Sequence, residues 1–203
     1  MKSTGWWVAV LGVGLAGCFS LKQPPLKIEQ FRLEYAAEAP QGMPLPLILR
    51  VPSMEVAATY DRDPIVYREG DYSIGSYFYF RWASNPGNMI ADLLARDLAA
   101  SGLYRDVQTA VSMVSPDFQV KGTVEEIEEL VASHDCSARL RLRITLAAAR
   151  GPHAQRVRFS KLYAEDETCR CDDPASVAES MSRAMARISA AVQADVYASL
   201  AAP

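Results

Sequence analysis

Histidine is almost missing from this chain, with two in 203 residues, His134 and His153. Neither stands in an H-E-x-x-H pattern, and no G-x-S-x-G elbow, P-loop or dinucleotide fingerprint occurs. The sequence thus offers no recognisable set for hydrolysis or nucleotide chemistry, and no catalytic residue or metal site is assigned. A basic surplus is also lacking. Lysine and arginine number 21 against 24 aspartates and glutamates, a formal charge of −3, so there is no cationic field to hold nucleic acid. The apolar run at the N-terminus, Trp6 to Leu15, is ten residues, where a bilayer-spanning helix takes roughly 20. Internal repeats are absent. The only loop-rich composition is Ala36 to Pro46, with Pro40, Gly42, Pro44 and Pro46. A single domain over residues 28–203 is expected, and a hydrophobic content of 50% excludes a disordered chain.

What the N-terminus does contain comes in a fixed order. Lys2 gives positive charge, Trp6 to Leu15 an apolar segment, and Ala16-Gly17 small residues, the three parts of a secretory signal. Cys18 follows, more than a hundred positions from any other cysteine. Leu15-Ala16-Gly17-Cys18 resembles the lipobox of bacterial lipoproteins. The resemblance implies that residues 1–17 are a signal peptide and that Cys18 becomes the mature N-terminus. Its thiol would then carry diacylglycerol and its amine an acyl chain. These lipids are the only attached group expected; no cofactor is. Two or more chains anchor a protein stably where one does not. Residues 18–27 read as a lipidated tether, stiffened by Pro24 and Pro25. Nine such residues span at most about 30 Å. Phe19 stands where an inner-membrane retention signal carries Asp, which favours the periplasmic face of the outer membrane.

Beyond the tether, alternation predicts strands at Lys27 to Tyr35, Leu45 to Val56 with an interruption near Pro52, Ile65 to Arg68 and Tyr72 to Phe80, the last two joined by a turn at Glu69-Gly70-Asp71. Ile90, Leu93, Leu94 and Leu98 recur at helical spacing, with Ser84 or Asn85 as cap, Pro86 in the first turn and Gly102 as stop. Phe118 to Leu130, Arg139 to Leu146 and a strand around Phe159 form a second strand group. The middle one places Leu140, Leu142, Ile144 and Leu146 on one face and Arg139, Arg141 and Arg143 on the other. Pro174 opens a long helix with a stripe of Val177, Met181, Ala184, Ile188, Val192, Val196 and Leu200. The fold class is α+β, two layers, a mostly antiparallel sheet with helices on one face. The acidic cluster Glu125-Glu126 and Glu128-Glu129 reads as charge along an exposed strand edge.

Tyr77, Phe78, Tyr79, Phe80 and Trp82 put aromatic rings on both faces of one strand. Tyrosine and tryptophan suit contact surfaces because they join large area to a polar handle. The run Thr59-Tyr-Asp-Arg-Asp-Pro-Ile-Val-Tyr-Arg68, this aromatic strand, and Arg81-Trp-Ala83 before an amphipathic helix together resemble the ABC-type transport auxiliary lipoproteins, a PqiC-like family. The resemblance spans roughly Ile28 to Leu200. Ser84-Asn85 stands where the family pattern carries an acidic residue. The resemblance implies a non-enzymatic accessory subunit of a lipid transport system, docking an MCE-domain protein between the inner and outer membranes. Tyr60, Asp61, Arg62, Tyr72, Tyr77, Tyr79 and Trp82 are the candidate partner-binding residues, and a homo-oligomer is left open. The other readings are a stand-alone periplasmic lipid-binding carrier, which would need its own apolar cavity, and a lipoprotein enzyme.

Cys136, Cys169 and Cys171 remain. In an oxidising compartment disulfides persist. Reflecting Cys136 through a turn centred near Pro152 falls next to Cys169, so a Cys136–Cys169 bridge is expected, with Cys171 as the alternative partner. A rival is a zinc set of His134, Cys136, Cys169 and Cys171.

Overall fold

The computed structural model describes residues 27–202 apart from positions 39, 111, 133, 134, 153 and 155. The signal segment, Cys18, nearly all of the tether, and both histidines lie outside the described residues.

One strand organises the molecule. β7 (Phe118–Ala132) is fifteen residues long. Along one flank it pairs antiparallel with β8 (Asp135–Ala148), which pairs antiparallel with β9 (Val157–Cys169). This is the expected meander. The other flank of β7 is shared by three shorter strands in succession, all parallel to it. They are β2 (Leu45–Arg50) at Phe118–Gln119, β3 (Glu55–Val56) at Thr123–Val124 and β4 (Pro64–Glu69) at Glu128–Val131. β4 turns at Gly70, whose φ of 65° is open to glycine, into β5 (Ser73–Trp82). β1 (Glu29–Phe31) pairs parallel with the end of β5. β6 (Tyr104–Gln108) closes the flank beside β2. The sheet is therefore mixed, antiparallel where the connections are short and parallel where a strand returns after a long excursion.

Two helices cover one face. α1 (Pro86–Ala100) starts where Asn85 accepts a hydrogen bond from Gly87 N at 2.9 Å and ends before Gly102, at φ 66°. α2 (Pro174–Ala201) starts where Asp173 accepts from Ser176 N. Ile90, Leu94 and Leu98 of α1 and Val177, Met181, Ala184, Ile188, Val192 and Val196 of α2 meet Leu140, Leu142, Ile144 and Leu146 of β8 in one core. Leu200, the last residue of the expected stripe, packs against that core while partly exposed. A buried carboxylate ties the helices to the N-terminal segment. Asp97 of α1 accepts from Tyr35 Oη at 2.7 Å and from Ser189 of α2, and Arg96 pairs with it. This is the two-layer α+β arrangement expected.

Four details differ. The first strand is three residues rather than nine, because Leu33 and Tyr35 turn into the core as irregular chain. β6 was not foreseen, since Tyr-Arg-Asp-Val-Gln lacks alternation. The acidic cluster does not lie on an edge. β7 is central, and Glu128 and Glu129 are both 0% exposed. The cause is the row of β2, β3 and β4 along the other flank of β7; in addition, an extra residue at Glu125, where the pairing slips from Val124–Leu142 to Glu126–Arg141, inverts which side chains face the helices. Lastly, Cys136 and Cys169 are register partners, but the disulfide joins Cys136 to Cys171, with Cα atoms 5.2 Å apart, and Cys169 is free. β9 ends at Cys169 and does not run on. Cys171 lies in the turn that follows, and Asp172, at φ 57°, leads the chain on towards α2. The bond also removes two thiolates from the zinc set.

Candidate functional site

The sheet face opposite the helices carries the arginines of β8. None stands alone. Arg139 and Arg141 both bond Asp166 of β9, at 3.0 and 3.1 Å, and Arg143 donates to Glu125 at 2.6 Å. Arg139 also approaches Glu126 at 3.8 Å, and Arg68 of β4 approaches it at 3.7 Å. The row is a charge-compensated lattice. Burial works against the Asp166 carboxylate, but hydrogen bonds from Arg139 and Arg141 hold it below the ordinary aspartate range.

At the β4 end, the loop between β3 and β4 folds over this face. Its Tyr60 is buried and donates to Glu128 Oε2 at 2.7 Å, while Arg68 pairs with Glu128 from the other side. Burial first, then the bond to Glu128, pushes the Tyr60 phenol well above its usual value. The next residue, Glu129, points to the helix side and accepts from Tyr77 Oη at 2.6 Å. Burial raises its pKa. The rings of Tyr67 and Tyr77 lie 4.9 Å apart, with Gly75 leaving room for Tyr67, because a Cβ there would stand 2.5 Å from the ring.

The candidate residues therefore fall into three groups. Tyr60 and Trp82 are buried supports, Trp82 in the core and Tyr60 on Glu128. Tyr77 and Tyr79 are half-buried, and Tyr77 and Phe80 turn to the same side because the β4–β5 register shifts between Pro64 and Val66. Asp61, Arg62 and Tyr72 are exposed. Asp61 and Arg62 sit together in the loop, and Asn85 Nδ2 donates to Asp61 at 2.8 Å. Asn85 thus caps α1 and braces the Asp61 loop at once. Tyr72 is at the opposite end of β5, in the turn. Glu128, Glu129 and Arg68 were missed as a site. The adjacent glutamates were visible in sequence, but a tyrosine 68 positions away as partner was not.

Carboxylates across the molecule lean to one side. Asp195 is held low by hydrogen bonds from Lys161 and Tyr163, both 2.6 Å. A depressed folded value contributes stability that is present above the ordinary aspartate range and lost as pH falls through the depressed one. Glu129 has the opposite sign: its contribution is present below the ordinary glutamate range and lost as pH rises through its raised value. Unfolding midpoints taken from neutral to acid pH are expected to fall on the acid side, and Asp195→Asn is expected to flatten that slope. A slope unchanged by the substitution would remove Asp195 from the account.

Two grooves on the open face, about 400 and 420 Å³, share Lys121 and Thr145, with Ser53, Arg143 and Gln119 among their other lining residues. A mixed polar lining of this kind does not form the apolar enclosure of a lipid carrier. No group of three or more metal-ligating side chains exists among the described residues.

Solved structures share this architecture. Protein XCC0632 from Xanthomonas campestris, of family DUF330, superposes with a TM-score of 0.76 at 18% identity, over 84% of this chain and 95% of that one. An uncharacterized protein gives 0.62 at 13% identity, over 79% and 99%. A hypothetical protein from Chlamydia trachomatis gives 0.50 at 10%, over 73% and 96%. Identities this low carry the fold alone. No curated protein matches the sequence. A family model does, over residues 31–193, from the end of β1 to the last third of α2, and by that match the chain belongs to the ABC-type transport auxiliary lipoprotein component family.

Proposed function

We propose that this protein is a lipid-anchored accessory subunit of an MCE/ABC-type lipid transport system, held through Cys18 at the periplasmic face of the outer membrane, where it docks the MCE-domain protein. Family membership carries the coarser statement, an auxiliary lipoprotein that works with transporter components. The finer one draws support from the Leu15-Ala16-Gly17-Cys18 segment and from Phe19 after it. The observation that carries it is the family match over most of the folded chain. In this reading the exposed pair Asp61 and Arg62, braced by Asn85, offers the docking surface. Tyr60, Tyr77, Tyr79 and Trp82 hold it from beneath and beside.

Affinity capture from solubilised membranes tests this. An MCE-domain protein is expected to co-purify, and the charge-reversed pair Asp61→Arg with Arg62→Asp is expected to lower its recovery about tenfold with an unchanged melting curve. Recovery of phospholipid with no MCE-domain protein would overturn the reading in favour of a carrier. Equal recovery by the variant would move the docking surface elsewhere.

A further inference from the structure

β1 meets β5 only at its end, Glu29 opposite Phe80 to Phe31 opposite Trp82. From Ser73 to Tyr79, β5 has β4 on one side and no strand on the other among the described residues. Free edges are normally guarded by charge or proline. Ser-Ile-Gly-Ser-Tyr-Phe-Tyr has neither. Four large side chains stand out along it: Ile28 at 48% exposure, Ile74 at 49%, Phe78 at 71% and Tyr72 at 98%.

The chain reaches this edge from its N-terminus. Lys27 comes two residues before the Glu29–Phe80 pair, so the tether arrives beside Phe78. Nine residues from Cys18 reach at most about 30 Å. The edge from Ser73 to Phe80 is itself about 25 Å long at 3.3 Å per residue. A lipid on Cys18 therefore keeps the whole edge within reach of the bilayer. The geometry points to this edge as a bilayer-contact surface: Ile28, Tyr72, Ile74 and Phe78 rest at the headgroup level of a phospholipid membrane and seat the domain there, beside the lipid on Cys18. This rests on the anchored reading above. Aromatic rings with a polar tip favour that depth, and unpaired backbone groups are still wet there. No lysine or arginine occurs between Glu69 and Phe80, and Lys27 and Asp71 at the borders of the edge are of opposite sign, so the contact draws on apolar burial and depends little on salt. Tyr72 then belongs to the membrane and not to the docking set, which leaves the Asp61–Arg62 loop, at the far end of β5, facing the transporter.

The test uses the full lipidated chain on vesicles of phosphatidylethanolamine and phosphatidylglycerol with brominated acyl chains. Tryptophan probes are placed by Phe78→Trp, Tyr72→Trp and, as a distant control in an exposed loop, Met113→Trp. All three side chains are exposed, so folding is not at stake. Bound protein is expected to float with the vesicles, and probes at 78 and 72 to be quenched about twofold more than the control, as for groups lying 5–10 Å into the interface, at low and high salt alike. Flotation with equal quenching at all three positions overturns the contact and leaves the anchor standing. Failure to float overturns the anchor and this inference with it.

Discussion

Glu128→Ala is expected to lower the stability of the folded domain by about 2–4 kcal/mol, because it leaves a buried hydroxyl without its acceptor and a half-buried guanidinium without its nearest carboxylate. The side chain is fully buried, and its two oxygens hold Tyr60 and Arg68. Alanine leaves the Tyr60 hydroxyl buried without an acceptor and leaves Arg68 with only the longer contact to Glu126, at 3.7 Å. It also releases the loop that carries Asp61 and Arg62. Glu128→Gln keeps the volume and an acceptor for Tyr60, so a smaller loss is expected, about 1–2 kcal/mol. Urea unfolding of both variants checks this. A Glu128→Ala variant within 1 kcal/mol of the parent would mean that the trio is not a clamp.

The second large effect concerns which cysteine is lost. The Cys136–Cys171 bond closes a separation of 35 residues, for which the loop-entropy estimate gives about 3–4 kcal/mol, on a mechanism that is model-dependent. Cys136→Ser is expected to lose all of it. Cys171→Ser is expected to lose much less, because Cys169 is the register partner of Cys136, and directly opposed strand residues have Cα atoms about 4.5–5.5 Å apart, inside the disulfide range. In the parent protein that exchange is slow. Burial, and then the charge of Glu129, raise the Cys169 thiol to about 11, and only the thiolate attacks a disulfide. Peptide mapping of thiol-blocked protein without reduction decides: Cys136 joined to Cys169 in the Cys171→Ser variant is the expected product, and free thiols at both positions would count against it.

These two sites also mark where the sequence was legible. The helices and the β7–β8–β9 meander were readable because their periods persist for ten residues or more and their caps, Asn85 and Asp173, sit where caps belong. Register arithmetic found Cys169 opposite Cys136 correctly. It left Cys171 as the alternative partner, because the choice depends on where β9 stops. The acidic cluster was misplaced because the strands that cover the other flank of β7 lie some 60 to 70 positions earlier in the chain. A single inserted residue at Glu125 exchanges the two faces of β7, and nothing local announces it. Of the docking candidates, the exposed ones are polar loop residues, while Tyr60 and Trp82 were sorted from them only by packing.

The dependence of β2, β3 and β4 on β7 also orders events in time. Each of these strands takes its parallel neighbour from a segment some 60 to 70 positions later, and such distant pairings form slowly. The β4–β5 hairpin closes locally, β1 finds β5 and β2 finds β6, but a chain that emerges N-terminus first has released nearly two thirds of its length before β7 can join β2, β3 and β4 into one sheet. The first half stays in separate pieces until the second half delivers the strand that joins them. In the anchored reading proposed above, in which the chain is exported before it folds, that delay favours passage, because the early pieces cannot be joined into one sheet until the long central strand has been delivered.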